Sequence, residues 1–109
     1  MDENAFLDIA DAEMVRLEAA IESATDDADI DLDIESKPGG ILELEFDNGS
    51  KIIINRHAAA REIWVAARSG GFHYKPESGR WINTRDGEDL YAALARLIGE
   101  QAGTPISFS

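Results

Sequence analysis

Short runs that alternate apolar and polar residues fill the middle of the chain, and turn signals separate them. Asn48-Gly49 stands between two apolar runs, which is the strongest short-range indication of a β-hairpin. Lys37-Pro38-Gly39-Gly40 and Ser69-Gly70-Gly71 mark further turns, and residues 56–61 form a connection. Strands joined in this way predict an antiparallel sheet. The predicted strands are residues 29–35, 41–46, 51–55, 62–67, 72–75 and 80–83.

Two helical segments flank these strands. Residues 4–24 repeat apolar side chains at helical spacing, and residues 25–28 are expected to end this helix. A second helix is predicted to begin near Thr84–Asp86, where Asp86 and Asp89 resemble a capping box. The predicted fold class is α+β: a two-layer α/β sandwich, with an antiparallel sheet of about six strands and both terminal helices packed on one face. The other face is left to solvent or to a partner, in a single domain of residues 1–109.

The negative charge of the chain is concentrated in its first third. The net charge is −12, and residues 1–35 hold 13 of the 22 acidic residues with a single base, Arg16. Residues 36–109 are neutral in sum. Such a pole repels nucleic-acid phosphates and anionic lipids, and it attracts cations and basic protein surfaces. We therefore expect no nucleic-acid binding and no membrane binding.

The residue types that are missing exclude further classes of function. The sequence has no cysteine, which excludes disulfides, thiolate zinc sites and cysteine nucleophiles. The longest apolar run, residues 52–54, is far shorter than the roughly 20 residues that span a bilayer. The first residues are acidic, unlike a secretory signal or a mitochondrial presequence. The expected location is the cytoplasm.

The first predicted strand carries an entirely acidic face. Residues 29–35 alternate acidic with aliphatic side chains, and like charges on one strand face repel one another. Carboxylate oxygens are hard ligands, suited to Mg²⁺, Ca²⁺, Mn²⁺ and the harder states of iron. Because exposed carboxylates on one face cannot enclose a metal, binding there is expected to be weak, multi-site and salt-sensitive. The alternative interpretation is a solvated face that aids solubility, which is usual for runs of charge.

Trp64 is predicted to point away from the core, because its neighbours in the 62–67 strand point inward. His73 is expected on the same outer face, and His57 in a loop; both are interpreted as surface residues without a metal role. An exposed tryptophan is costly unless something covers it, and tryptophan is enriched in binding hot spots. The alternative is an edge or partly covered core position. Trp81, beside a turn, is predicted to lie in the core.

Several segments carry a family resemblance: residues 49–57, 62–66 and 69–74, with Trp81 and Asp86-Gly87. Together with the order of helices and strands, they resemble the frataxin family, in its bacterial branch, CyaY. His57 and Glu62 stand where that family often has glutamine, and Ala59 where it often has proline.

The resemblance implies a protein that binds Fe²⁺ and Fe³⁺ weakly and reversibly and regulates iron–sulfur cluster assembly. The implied partners are the cysteine desulfurase and the scaffold proteins, and we expect a monomer, with iron-induced oligomers left open. Iron would bind on an acidic ridge of the first helix and first strand, which also meets the basic face of the desulfurase. In this chain the acidic ridge is Glu18, Glu22, Asp26, Asp27, Asp29, Asp31 and Asp33. The outer-face positions implied to contact the scaffold complex are Asn55, His57, Trp64 and His73.

Two other functions stay open from the sequence. One is a ferroxidase, an activity claimed for some members of the family, although the sequence has no Glu-x-x-His pair and no catalytic constellation. The other is a metal-independent acidic docking module, or a nucleic-acid mimic, that binds a basic partner.

Overall fold

Six strands form one antiparallel sheet, in which each strand lies beside the next along the chain. The computed structural model describes residues 1–108, and the predicted domain of residues 1–109 ends at Ser109, outside that range. Helices α1 and α2 pack on the sheet, which confirms the predicted fold class. The elements are α1 (Glu3–Asp27), β1 (Leu32–Lys37), β2 (Ile41–Phe46), β3 (Lys51–His57), β4 (Glu62–Ala67), β5 (Gly70–Glu77), β6 (Arg80–Asn83) and α2 (Leu90–Ala102).

The core lies between the sheet and the two helices. Ile54 and Ile63 of the central strands are fully buried, as is Leu94 of α2. Burying one such side chain stabilises the fold by about 1.5–3 kcal/mol. The ring of Phe6 in α1 meets Trp81 of β6 edge-on, with 5.9 Å between the ring centroids. The prediction that Trp81 is a core residue is therefore confirmed.

The first helix runs three residues past its predicted limit of residue 24, and it ends within residues 25–28 as expected, at Asp27 with Ala28 as its C-cap. Thr25 stays helical because its hydroxyl donates to the carbonyl of Ile21 at 2.7 Å, which satisfies the side chain inside the helix. The chain leaves the helix through Asp29, which adopts the left-handed φ of 56°. Asp26 and Asp27 consequently lie on the last helical turn.

The first strand starts later than predicted. The backbone N–H of Ile30 donates to the carbonyl of Thr25 at 2.9 Å, so this segment closes the helix end instead of pairing with β2. Asp29 and Asp31 precede β1, and only Asp33 and Glu35 lie on its outer face. The prediction of four carboxylates on one strand face was therefore right for two of them.

Two later strands extend beyond their predicted limits. Pairing between β3 and β4 continues to His57 opposite Glu62, because Arg61 takes a left-handed φ of 56° and makes the turn short. The expectation that His57 lies in a loop was wrong, since it is the last residue of β3. β5 runs past residues 72–75 at both ends.

The second helix begins at Leu90, not near Thr84–Asp86 as predicted. Asp89 is its N-cap and accepts hydrogen bonds from two backbone N–H groups of the first turn, at 3.0 and 3.3 Å. Asp86 closes a separate turn by accepting from the N–H two residues later, at 2.9 Å. Gly87 has a left-handed φ of 78°, which a helix cannot contain.

No helix within residues 1–108 is long and apolar enough to cross a membrane.

Candidate functional site

The acidic ridge follows one edge of the molecule. Helix α1 lies against β1, and β1 is one of the two edge strands of the sheet. Glu18 is half-buried and the other six ridge carboxylates are exposed. Charges along an edge strand also prevent it from pairing with strands of other molecules, so this placement has a structural benefit of its own.

The seven predicted residues do not converge on one site. Glu18 borders a small groove between α1 and the β1–β2 turn, beside Ser36 and Gly40. Asp27 borders a different groove, together with Phe108 of the C-terminal tail. Asp29 and Asp31 border one depression beside the start of β1, and Asp31 and Asp33 border a second one.

Two carboxylates that the sequence analysis omitted join this group. Glu45 and Asp47, at the end of β2, line a depression of about 230 Å³ together with Asp31 and Asp33. Asp47 also borders the adjoining depression of about 370 Å³. The hairpin register could have revealed Glu45, because it pairs directly with Asp33. We call these five residues the acidic depression: Asp29, Asp31, Asp33, Glu45 and Asp47.

The charge of this surface is not compensated by neighbouring bases. Within residues 1–108, no carboxylate of the acidic ridge or the acidic depression forms an ion pair. The nearby lysines are held by Glu43, which lies 2.7 Å from Lys37 Nζ and 2.8 Å from Lys51 Nζ. The hydrogen bond from Lys37, followed in size by the one from Lys51, lowers the pKa of Glu43 to about 2. The remaining negative charge is available to cations or to a basic partner.

The geometry excludes a preformed metal centre in the described part of the chain. Among residues 1–108, no three His, Cys, Asp or Glu side chains converge so that they could hold a metal ion. The donor set of the acidic depression is entirely carboxylate oxygen, which suits a hard cation. Because too few oxygens converge to replace the hydration shell, a cation there would keep most of its water. The residues therefore fit weak, exchangeable binding.

The four predicted partner residues lie together on the outer sheet face. His57 and Trp64 stack with 3.8 Å between ring centroids and 13° between planes. Trp64 and His73 stack with 4.4 Å between centroids and 9° between planes. Asn55 pairs directly opposite Trp64 across β3 and β4. We call the three rings the aromatic stack.

Glu62 completes this cluster, and the sequence analysis did not include it as a candidate. Trp64 Nε1 donates to Glu62 Oε1 at 2.8 Å, and the same oxygen lies 3.3 Å from His73 Nδ1. The spacing of two residues on one strand placed Glu62 and Trp64 on the same face, which was the available signal. Trp64 is half-buried because two imidazoles of its own chain cover its ring faces. The two imidazoles supply cover for this outward-facing tryptophan, and a partly covered position was the alternative left open by the sequence.

One further acidic residue lies outside both surfaces. Glu13 is 4% exposed; its carboxylate accepts from the hydroxyl of Tyr91 at 2.5 Å and from Arg16 at 2.8 Å. Burial and the bond to Glu13 raise the pKa of Tyr91 well above its usual value. This contact joins α1 to α2, so Glu13 has a structural role and takes no part in the ridge.

Comparison with known proteins decides the family. Residues 1–104 match the family of frataxin-like domains. The chain belongs to the frataxin-like family. A protein of Cupriavidus taiwanensis named iron-sulfur cluster assembly protein CyaY is 54% identical over 108 residues, which cover 99% of this chain and 96% of that protein. The protein of the same name from Ralstonia nicotianae is 48% identical over 107 residues, covering 98% and 94% of the two chains.

Solved frataxin structures share the fold. Frataxin from Psychromonas ingrahamii is 30% identical and matches with a TM-score of 0.82, over 100% of this chain and 99% of its own. Trimeric frataxin from the yeast Saccharomyces cerevisiae, in its ferrous complex, is 24% identical with a TM-score of 0.74, over 87% and 86% of the two chains. At that identity, the yeast likeness shows the fold alone.

His57 and Glu62, two of the residues that the sequence analysis set apart from the family resemblance, meet at the indole of Trp64. His57 supplies an aromatic ring to one face of Trp64, and Glu62 supplies a carboxylate beside His73.

Proposed function

We propose that this chain is a cytoplasmic iron-binding regulator of iron–sulfur cluster assembly, acting through a single domain over residues 1–109 as iron sensor or donor. Its relatives of about half-identical sequence carry the assembly role in their names and match it over nearly their whole length. The observation that carries the proposal is the acidic depression, whose clustered carboxylates have no basic neighbour bound to them within residues 1–108.

The chemistry of the acidic depression fits transient iron binding. Exposed carboxylates attract Fe²⁺ or Fe³⁺ by charge, and the hydrated ion leaves readily because few protein oxygens contact it directly. The same carboxylates form the surface proposed to meet the basic face of the cysteine desulfurase. Iron binding and desulfurase binding are therefore linked, because both ligands use the same charges.

The outer sheet face supplies the second proposed contact. Asn55, His57, Trp64 and His73 lie side by side there, away from both helices. We assign this face to the scaffold complex, and its contact with that complex does not depend on iron.

An anaerobic NMR titration with Fe²⁺, repeated with Mg²⁺, tests the iron site. Paramagnetic broadening is expected to concentrate on residues 29–33 and 45–47, and Mg²⁺ is expected to shift the same signals. The triple variant D29K/D31K/D33K is expected to lose both effects. It is also expected to bind the desulfurase at least about tenfold more weakly, a loss of about 1.4 kcal/mol.

The matched control is E3K/D8K/E77K, which makes the same change in net charge at exposed positions outside the acidic depression. It should keep the localised broadening and most of the affinity for the desulfurase. Broadening spread evenly over the chain, or equal losses in both triple variants, would contradict a defined iron site.

The second candidate is a metal-independent acidic docking module. The observation in its favour is that, over residues 1–108, no three potential ligands converge on one point. Under this function, desulfurase affinity and the rate of cluster assembly would be identical with and without iron, while D29K/D31K/D33K would still weaken binding.

A further inference from the structure

The two imidazoles of the aromatic stack have different hydrogen-bonding partners. Nδ1 of His57 accepts from the backbone N–H of Ala60 at 3.3 Å, so a proton on that nitrogen would break this bond. Nδ1 of His73 instead lies 3.3 Å from the carboxylate of Glu62. Protonation of His73 therefore places its positive charge beside an anionic carboxylate. Protonation of His57 at Nδ1 instead removes the hydrogen bond that this nitrogen accepts from Ala60.

Trp64 links the proton on His73 to the shape of the surface. Its indole N–H already holds Glu62 Oε1 at 2.8 Å, which fixes the carboxylate beside His73. A positively charged imidazole 4.4 Å from the indole centroid also gains a cation–π attraction. Both effects favour the stacked arrangement when His73 is protonated.

The charges around His73 leave Glu62 as its nearest ionic partner. Lys75 lies on the same face of β5, two residues further along, and it is the one fixed positive charge close to the cluster on that strand. Toward β6, the backbone N–H of Thr84 donates to the carbonyl of His73 at 2.9 Å, and the uncharged Ile82 pairs opposite Lys75. Toward β3, the titratable neighbour is His57, on the far side of the indole.

We propose that His73, Glu62 and Trp64 form a one-proton switch on the outer sheet face, with His57 as its stacking support. Uptake of a proton by His73 locks the stack through the carboxylate of Glu62, and loss of that proton loosens it. The face thereby changes both its charge and its rigidity with pH. This switch goes beyond the proposed function and does not depend on it.

The test follows the indole Nε1–H signal of Trp64 by NMR in the full chain between about pH 5 and pH 8, the range in which imidazoles in general change charge. Wild type is expected to show a pH-dependent change of this signal. H73Q is expected to abolish it, and E62Q is expected to weaken it, because the carboxylate that contacts both Trp64 Nε1 and His73 Nδ1 is lost.

The matched control is H57Q, which removes the other imidazole and should leave the titration in place. All three substitutions lie on the outer face, and a thermal melt checks that each variant is folded. A flat response of Trp64 in wild type would overturn the switch. So would a titration that persists in H73Q, or one that disappears in H57Q and thereby assigns the proton to His57.

Discussion

Two glutamates that face each other across β1 and β2 have different electrostatic environments. Glu43 is bound by Lys37 and Lys51, whereas Glu35, directly opposite it, has no ion-pair partner within residues 1–108. The pKa of Glu43 falls from 4.5 to about 2 because of the hydrogen bonds from the two lysines. A depressed pKa means that this stabilisation is present above pH 4.5 and is lost as pH falls toward 2. E43Q is therefore expected to melt at a lower temperature than wild type at pH 7, with the difference shrinking between pH 4.5 and 2.

The control at this scale is E35Q, which removes a like charge from the same cross-strand pair. Its melting temperature at pH 7 should equal or exceed that of wild type. The assignment of the lysines to Glu43 would be wrong if E43Q and E35Q had the same effect at pH 7.

Residue positions could be predicted from alternation, but residue contacts could not. The period of two placed Trp64 outside and Trp81 inside, and both faces are as predicted. Alternation says nothing about which side chain bonds to which, because that depends on rotamers and on the register between strands. For this reason the bond from Trp64 to Glu62 and the approach of Glu45 to Asp33 appeared only in the structure.

At the scale of elements, one buried glutamine joins α2 to two turns of the sheet. Gln101 is 5% exposed; its amide donates to Ser50 Oγ at 2.9 Å and accepts from Arg68 N at 3.0 Å. Its backbone carbonyl accepts from Asn48 Nδ2 at 2.8 Å. Q101A leaves the N–H of Arg68 without its partner and should lower the free energy of unfolding by about 2 kcal/mol, measured by urea denaturation.

The neighbouring substitution E100A serves as the control. Glu100 is exposed and makes one long ion pair with Arg96, at 3.4 Å. Its loss should change the free energy of unfolding by less than about 0.5 kcal/mol. Equal effects of Q101A and E100A would show that Gln101 does not fasten the helix to the turns.

Element order was predictable because the periods of helix and strand differ, whereas element ends depended on local hydrogen bonds. Asp86 and Asp89 both had the chemistry of a helix cap, and only Asp89 faces the free N–H groups of α2. Likewise, Thr25 was expected to break α1 but bonds back into it. The sequence allows either end in both cases, and the side-chain hydrogen bonds formed in the folded chain distinguish them.

For the molecule as a whole, the separation of charge sets how stability responds to ions. The first 35 residues carry the entire net charge of −12, and the bases of the remaining chain are matched by its own acids. Within residues 1–108, Lys37 and Lys51 both form ion pairs with Glu43 of β2, and no basic side chain forms an ion pair with the acidic ridge. Folding therefore brings the ridge carboxylates together against their mutual repulsion, which salt screens over about 10 Å at 0.1 M.

Neutralising the start of β1 should consequently stabilise the fold at low salt. D29N/D31N/D33N is expected to raise the free energy of unfolding by roughly 1 kcal/mol, the sum of a few like-charge contacts, or about 4 °C in melting temperature. Added sodium chloride or Mg²⁺ should raise the melting temperature of wild type more than that of this variant. The variant has less charge repulsion for salt to screen, and it has fewer carboxylates to bind Mg²⁺. The matched variant E3Q/D8N/E77Q changes the net charge equally and should keep the wild-type salt response. If both variants lost that response alike, net charge and not the clustering at β1 would govern the stability of this molecule.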